Sequence, residues 1–297
     1  VTGNSAETAE TRAGLLMAAP AVAGLLAFVL VPFGLAFGLA LTDLRLGSPL
    51  PTRFVGVDPF VRVLTDPVFL RALLNNAVFA AVVVPVQTGL ALLVALALDR
   101  PLYAMPVLRT LFFLPVVLPF VVVAVVWELI FAPGPAGPAN ALLGLVTLGG
   151  WAPVDWLHDT RYALGAMAVL SVWQGVGLQM VILLAGLQAI PRALYEAARI
   201  DGAGPFSTFL HVTLPGLRNV LVFVVTVTTI LAFRLFDQVR ILTQGGPEDA
   251  TTTALYEAVA AAFDRQQVAV GSAMTVVWFV LVLAVTAVVR RMARGRA

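Results

Sequence analysis

Residues 72–98 read ALLNNAVFAAVVVPVQTGLALLVALAL. No side chain in the run is charged, and the run exceeds the roughly 20 residues that carry an α-helix across a hydrocarbon core about 30 Å thick. It therefore predicts a membrane span. The pattern recurs: apolar runs over residues 14–41, 110–131, 162–187, 220–236 and 268–289 predict five more. The expected fold is all-α, a polytopic membrane helical bundle of about six transmembrane helices. The first run is too long for a signal-peptide core of roughly 7–15 residues and has no clean cleavage site after it, so it is read as a retained span. Its Pro20 and Pro32 are tolerable because spanning helices accommodate proline.

Composition agrees. Of 297 residues, 60% are hydrophobic and 11% charged, whereas a soluble domain carries about 25% charged residues. A polar segment over 1–13 precedes a transmembrane domain over 14–289, and a basic tail follows over 290–297. Within the domain, residues 188–219 are too polar to span. The connector 42–71 is rich in proline, and the loop 132–161 in glycine and proline; Trp151 and Trp156 in that loop suit a membrane–water interface. With the N-terminus inside, Arg12, Arg100, Arg109, Arg192, Arg199, Arg218 and the terminal Arg290, Arg291, Arg294 and Arg296 face the cytoplasm. Arg45, Arg53, Arg62, Arg71, Arg161, Arg240 and Arg265 fall outside. The arginine-rich tail orients the bundle with both termini cytoplasmic.

Several function classes fall away. With no cysteine, disulfides, thiolate catalysis and Cys-based zinc sites are excluded. All 18 basic residues are arginine, and a phosphate-cradling P-loop needs a lysine. The net charge of +2 is too small to suggest a nucleic-acid partner. His158 and His211 lie in different loops, and Ser171 and Ser272 have no histidine nearby in sequence, so neither a metal site nor a catalytic residue is assigned.

The most informative polar segment is Pro191 to Pro215, PRALYEAARIDGAGPFSTFLHVTLP. Pro191 suits a first helical position. Arg192 to Asp201 holds good helix formers, Gly202 and Gly204 can stop that helix, and Pro205 can start another that Pro215 limits. Two short helices joined by a glycine turn are predicted. Ala193, Ala197 and Ala198 leave room for close approach by a partner, while Glu196, Arg199 and Asp201 supply charge.

Glu196-Ala197-Ala198, Asp201-Gly202-Ala203 and Leu214-Pro215 at this spacing resemble the EAA loop of permease subunits of binding-protein-dependent ABC importers. Phe54-Val55-Gly56, Arg109 to Pro115, Leu183 to Leu187, Phe236-Asp237 and Leu242 to Pro247 are similar to the carbohydrate-uptake branch (maltose and glycerol-phosphate type). Relatives usually carry glycine where Gln244 stands, a change expected to bear on the turn. The resemblance implies a bacterial cell membrane as the location, a second permease subunit, two ATPase subunits holding ATP and Mg, an extracytoplasmic solute-binding protein, membrane lipid around the spans, and no cofactor in this chain. It implies that Glu196, Ala197, Ala198, Asp201, Gly202, Leu214 and Pro215 form the coupling surface, with the 191–201 helix docking in an ATPase cleft.

Polar groups at membrane depth are candidate pathway residues. Asn76, Gln87, Gln174 and Gln179 can hydrogen-bond a sugar, Trp127 and Trp173 can stack on one, and Glu128, Arg234 and Asp237 are charged. Arg234 and Asp237, three apart on one predicted helix, are expected to pair. The alternatives are an importer of glycerol-phosphate-type solutes, or an ion-coupled secondary transporter with mid-membrane charges in both halves. Lacking lysine, the purified chain is expected to hydrolyse no ATP by itself. Phosphate release from a preparation cleared of contaminating ATPases checks this.

Overall fold

The structure, a computed structural model, describes residues 14–15, 17–99 and 105–294. The expected N-terminal segment 1–13, Arg100, and the end of the arginine tail lie outside the described residues. The helices, in order, are α1 Met17–Leu39, α2 Asp58–Thr65, α3 Pro67–Leu98, α4 Met105–Val117, α5 Phe120–Ile130, α6 Pro138–Val146, α7 Ala163–Gln188, α8 Arg192–Ile200, α9 Pro205–Gly216, α10 Arg218–Phe233, α11 Ala254–Val259 and α12 Val268–Arg294. Among the described residues no strand forms; a single bridge links Thr42 and Phe54.

Four helices (α1, α3, α7 and α12) are long and apolar enough to cross a membrane unbroken, and there are six spans if each of two bent pairs counts as one. The third predicted span, 110–131, is one such pair and needs correction. Helices α4 and α5 meet at 98°. The cause is Pro119, whose ring disfavours a helical Leu118 and which has no N–H to donate; it stands at the N-cap of α5 with ψ 132°. The second pair, α9 and α10, bends by 68°. The connector 42–71 also shortens, since α2 forms within it and α3 begins at Pro67. Helix α6 similarly occupies part of the loop 132–161.

Contacts group the described residues into two units, 14–66 with Ala258–Phe279, and Pro67–Glu257 with 280–294. In the first unit, a π-helical turn at Leu26–Leu30 lies just before Pro32 in α1. This wider turn suits a position where the proline lacks its amide. Apolar side chains along α1 are exposed, Phe28 among them, as expected of a surface whose solvent is hydrocarbon rather than water. Phe33 meets Phe279 with ring centroids 4.5 Å apart. The Leu46 N–H donates to the Gln266 carbonyl at 2.9 Å and the Ala269 N–H to that of Leu44 at 3.1 Å.

The second unit is built on α3 against α7. Ala91, Ala95 and Leu98 are buried in one cluster with Val176, Met180, Leu183, Leu184 and Leu187. Lipid tails are as apolar as leucine, so membrane helices associate through close packing, and small residues permit it. Gly177 shows the limiting case: a Cβ there would collide with the backbone of Phe112 on α4. Between α5 and α7, Asp155 accepts hydrogen bonds from the His158 and Leu157 amides and pairs with the His158 ring at 3.0 Å. Burial opposes ionisation of that carboxyl, but His158 and the two amides together hold it below the usual carboxylate range. Replacing Gly177 with valine is expected to cost about 1–3 kcal/mol by overpacking. The check is a lower melting temperature of the purified protein in detergent, with Gly165→Val, where nothing lies close, changing it less.

Candidate transport pathway and coupling surface

Helix α8 begins after Pro191 and ends at Ile200 in a Schellman turn. The Gly202 N–H donates to the Arg199 carbonyl at 3.1 Å and the Ala203 N–H to the Ala198 carbonyl at 2.9 Å. Gly202 sits at φ +71°, the left-handed conformation expected of the glycine turn. The turn reverses the chain into α9, started by Pro205. Tyr195 holds the two helices together: its ring packs into the core cluster beside Val212, and its hydroxyl lies 3.2 Å from that of Thr213. The outer face of α8 is left free. Glu196, Ala197, Arg199, Asp201 and Gly202 are exposed, Ala198 is half-buried, and Glu196 has no partner among the described residues. Leu194, Ile200 and Phe206 are exposed beside them. At the segment's end Leu214 is half-buried and Pro215 exposed. Asp99, Arg109, Gln188, Arg192, Glu196 and Arg199 border a basin of about 750 Å³ next to α8.

A second feature lies within the spans. A cavity of about 240 Å³ is bounded by α3, α4, α7 and α10 and by the residues after α10. Gln87, Gln174 and Gln179 line it together, as three of the candidates expected from sequence. Sequence reasoning missed Ser171, Thr228 and Gln238, which complete its polar lining. The signal was present in α7, where Ser171, Gln174, Gly175, Leu178, Gln179 and Ile182 follow the i, i+3, i+4, i+7 spacing of a single helical stripe. Ser171 donates to the Gln238 side chain at 2.7 Å. Gln179 is 5% exposed; its amide nitrogen donates to the Thr228 hydroxyl, and its Oε1 is buried without a partner. No lining residue is charged.

The remaining candidates lie elsewhere. Trp127 and Trp173 meet edge to face at 5.5 Å and line an apolar groove of about 930 Å³ with Val82, Val86 and Phe112, not the glutamine cavity. Glu128 is exposed near the end of α5. The expected pairing of Arg234 with Asp237 is corrected: α10 stops at Phe233, the chain runs irregularly over 234–236, and both side chains are exposed without an ion pair between them. With no continuous helix, the three-residue spacing no longer stacks the two.

Asn76 is a structural tie. Fully buried, it donates to the Phe233 carbonyl at 3.4 Å and accepts the Ala254 N–H at 2.9 Å. Its neighbour Asn75 donates to the carbonyls of Asp249 and Thr252, both at 2.9 Å. Upstream of the segment they hold, Gln244 sits at φ +51°, so a glutamine takes there the left-handed conformation that glycine reaches most easily. The Tyr256 hydroxyl donates to its carbonyl at 2.8 Å.

Residues 87–296 match the family described as the binding-protein-dependent transport system inner membrane component. The chain belongs to this family. It is 36% identical to the trehalose/maltose transport system permease protein MalF of Thermococcus litoralis over 97% of this chain and 95% of that protein. It is 35% identical to the diacetylchitobiose uptake system permease protein NgcF of Streptomyces coelicolor over 88% and 76% of the two. The fold is that of a chain in a bacterial alginate ABC transporter solved with an alginate pentasaccharide-bound periplasmic protein (TM-score 0.80, 20% identity, 96% of both chains). This binding-protein-dependent permease is thus a multi-span inner membrane component. Its relatives are transport subunits rather than enzymes, and among the described residues no group of His, Cys, Asp and Glu could hold a metal.

Asn76→Ala is expected to leave the Ala254 N–H buried and unpaired, at about 1–3 kcal/mol. The variant should melt earlier in detergent whether or not solute is present, the response of a structural tie rather than a solute contact.

Proposed function

We propose that this permease forms half of the translocation pathway for a neutral sugar or oligosaccharide in an ATP-driven importer. The observation that carries the reading is the uncharged glutamine cavity. Sugars are recognised by neutral donors and acceptors, and Gln87, Gln174, Gln179 and Gln238 supply both kinds on every amide. A glycerol-phosphate-type solute would need a cation, and the cavity has none. The sugars named for MalF and NgcF point the same way. At about 240 Å³ the cavity is below the roughly 300–1,000 Å³ common for ligand pockets, which suits a site shared with a second permease subunit. Few charges sit at mid-membrane, which argues against an ion-coupled carrier.

The exposed face of α8 fits a separate ATPase. Glu196, Arg199 and Asp201 offer charge, Leu194, Ile200 and Phe206 offer apolar contact, and the Gly202 turn fixes the angle to α9. ATP and Mg belong to that partner. An extracytoplasmic binding protein delivers solute on the opposite side. Both chain termini then face the cytoplasm, as the arginine-rich tail suggests.

The test is a reconstituted complex with the partner permease, the ATPase and the binding protein. Gln179→Leu should raise the KM for sugar uptake roughly two- to tenfold, the equivalent of one hydrogen bond, with assembly intact. Glu196→Ala together with Gly202→Val should reduce co-purification with the ATPase or solute-stimulated ATP hydrolysis, leaving the binding protein's sugar affinity unchanged. Wild-type KM for both Gln174→Leu and Gln179→Leu would remove the cavity from the pathway; unchanged coupling in the double variant would reduce α8 to an interfacial helix.

A further inference from the structure

The loop between α5 and α7 has a surface that transport leaves unused. Between Glu128 and Asp155 the chain carries no charged residue. Helix α6 turns Leu142, Leu145 and Val146 outward, and Leu148 just beyond it is 95% exposed. Leu148 also lies at φ +52°. A position following a helix in the left-handed conformation usually takes glycine, because a Cβ is crowded there, and Gly149 stands next to it. A leucine here meets a conformational penalty and, in water, an exposed apolar side chain as well. Both become intelligible if something apolar covers it.

The surface is also rigid. Asn140, 2% exposed, uses its whole amide inside the loop. It donates to the Gly134 and Val154 carbonyls at 3.1 and 2.8 Å, and accepts from the Trp151 indole at 3.0 Å and the Val154 N–H at 3.1 Å. Trp151 is thereby placed flat against Trp156, with centroids 5.8 Å apart and planes 7° from parallel.

We propose that α6 and the Leu145–Leu148 tip form a membrane-surface anchor, seated at the boundary of headgroups and acyl chains in the leaflet opposite the EAA segment. The tryptophan pair would sit at the water side of that boundary. An amphiphilic indole prefers this depth, and a helix with an apolar face lying in the interface binds by burying that face. Both ends of the loop lead into apolar helices of the spans, so the tip need not travel to reach lipid. The charge pattern at the tip favours lipid over a soluble protein: a partner that docks and leaves is steered and oriented by charged and polar rim groups, and the tip has none, the loop's Asp155, Asp159 and Arg161 all lying at its α7 end.

The chain has no native cysteine, so Leu145→Cys and Leu148→Cys can each carry a single environment-sensitive fluorophore. The complex, with cysteine-free partner subunits, is placed in phosphatidylcholine–phosphatidylglycerol nanodiscs with or without lipids bearing a nitroxide high on the acyl chain. Labels at both positions should emit blue-shifted and lose most of their intensity to the nitroxide, while a label at Thr160→Cys keeps its intensity. Water-like emission untouched by nitroxide lipid overturns the anchor. Blue-shifted emission that nitroxide lipid does not quench also overturns it, by assigning the patch to the second permease. A shift that appears only on adding the solute-binding protein overturns it in favour of that protein.

Discussion

A backbone group buried away from water must find a partner within the protein, and this constraint orders the second unit. Wherever the buried chain departs from helix, some other group must take over the pairing. Asn75 and Asn76 do this for the irregular stretch after the turn at Gln244, reaching the backbone of Asp249, Thr252 and Ala254. The Thr253 hydroxyl does it for the Leu235 carbonyl at 2.6 Å. Two polar side chains of α3, Asn75 and Asn76, are therefore spent on holding backbone, whereas Gln87 on the same helix lines the cavity with Ser171, Gln174 and Gln179 of α7.

That division explains what could and could not be read in advance. Hydropathy counts apolar residues and ignores direction, so the spans were legible while the bend at Pro119 was not, although Leu118-Pro119 marks it. The two short helices and glycine turn over 191–215 were legible because their signals are local: prolines that start helices, and a glycine whose left-handed φ is intrinsic to the turn. Pathway residues depend on which way a helix is rotated in its bundle. Gln87, Gln174 and Gln179 converge because α3 and α7 pack closely through alanine and glycine. Trp127 and Trp173 point into a different groove, and Asn76 is consumed by structure. The helical stripe from Ser171 to Ile182 was the one available cue to rotation. The Arg234–Asp237 pairing failed for a related reason: its geometry presumed a helix running through Asp237, and α10 ends at Phe233.

The cavity and the docking face differ in how they tolerate change. If the cavity takes solute as proposed, its specificity depends on a few amide orientations around about 240 Å³, where one lost hydrogen bond alters affinity modestly. The α8 face depends on a backbone turn at Gly202 and on Tyr195 anchoring into the core. Altering the first adjusts preference among solutes, whereas altering the second displaces a whole element.

Helix α7 joins the two. It runs unbroken for 26 residues from Ala163 to Gln188, and α8 starts four residues after its end. Gln179 lies nine positions before Gln188, about 14 Å at 1.5 Å per residue. The rod between them contains no proline, so under the proposed function it is a stiff lever arm with the glutamine stripe part-way along and α8 at its end. A tilt imposed at that end is delivered to the stripe as a smaller, geometrically fixed displacement, without any relay of side-chain rearrangements between them.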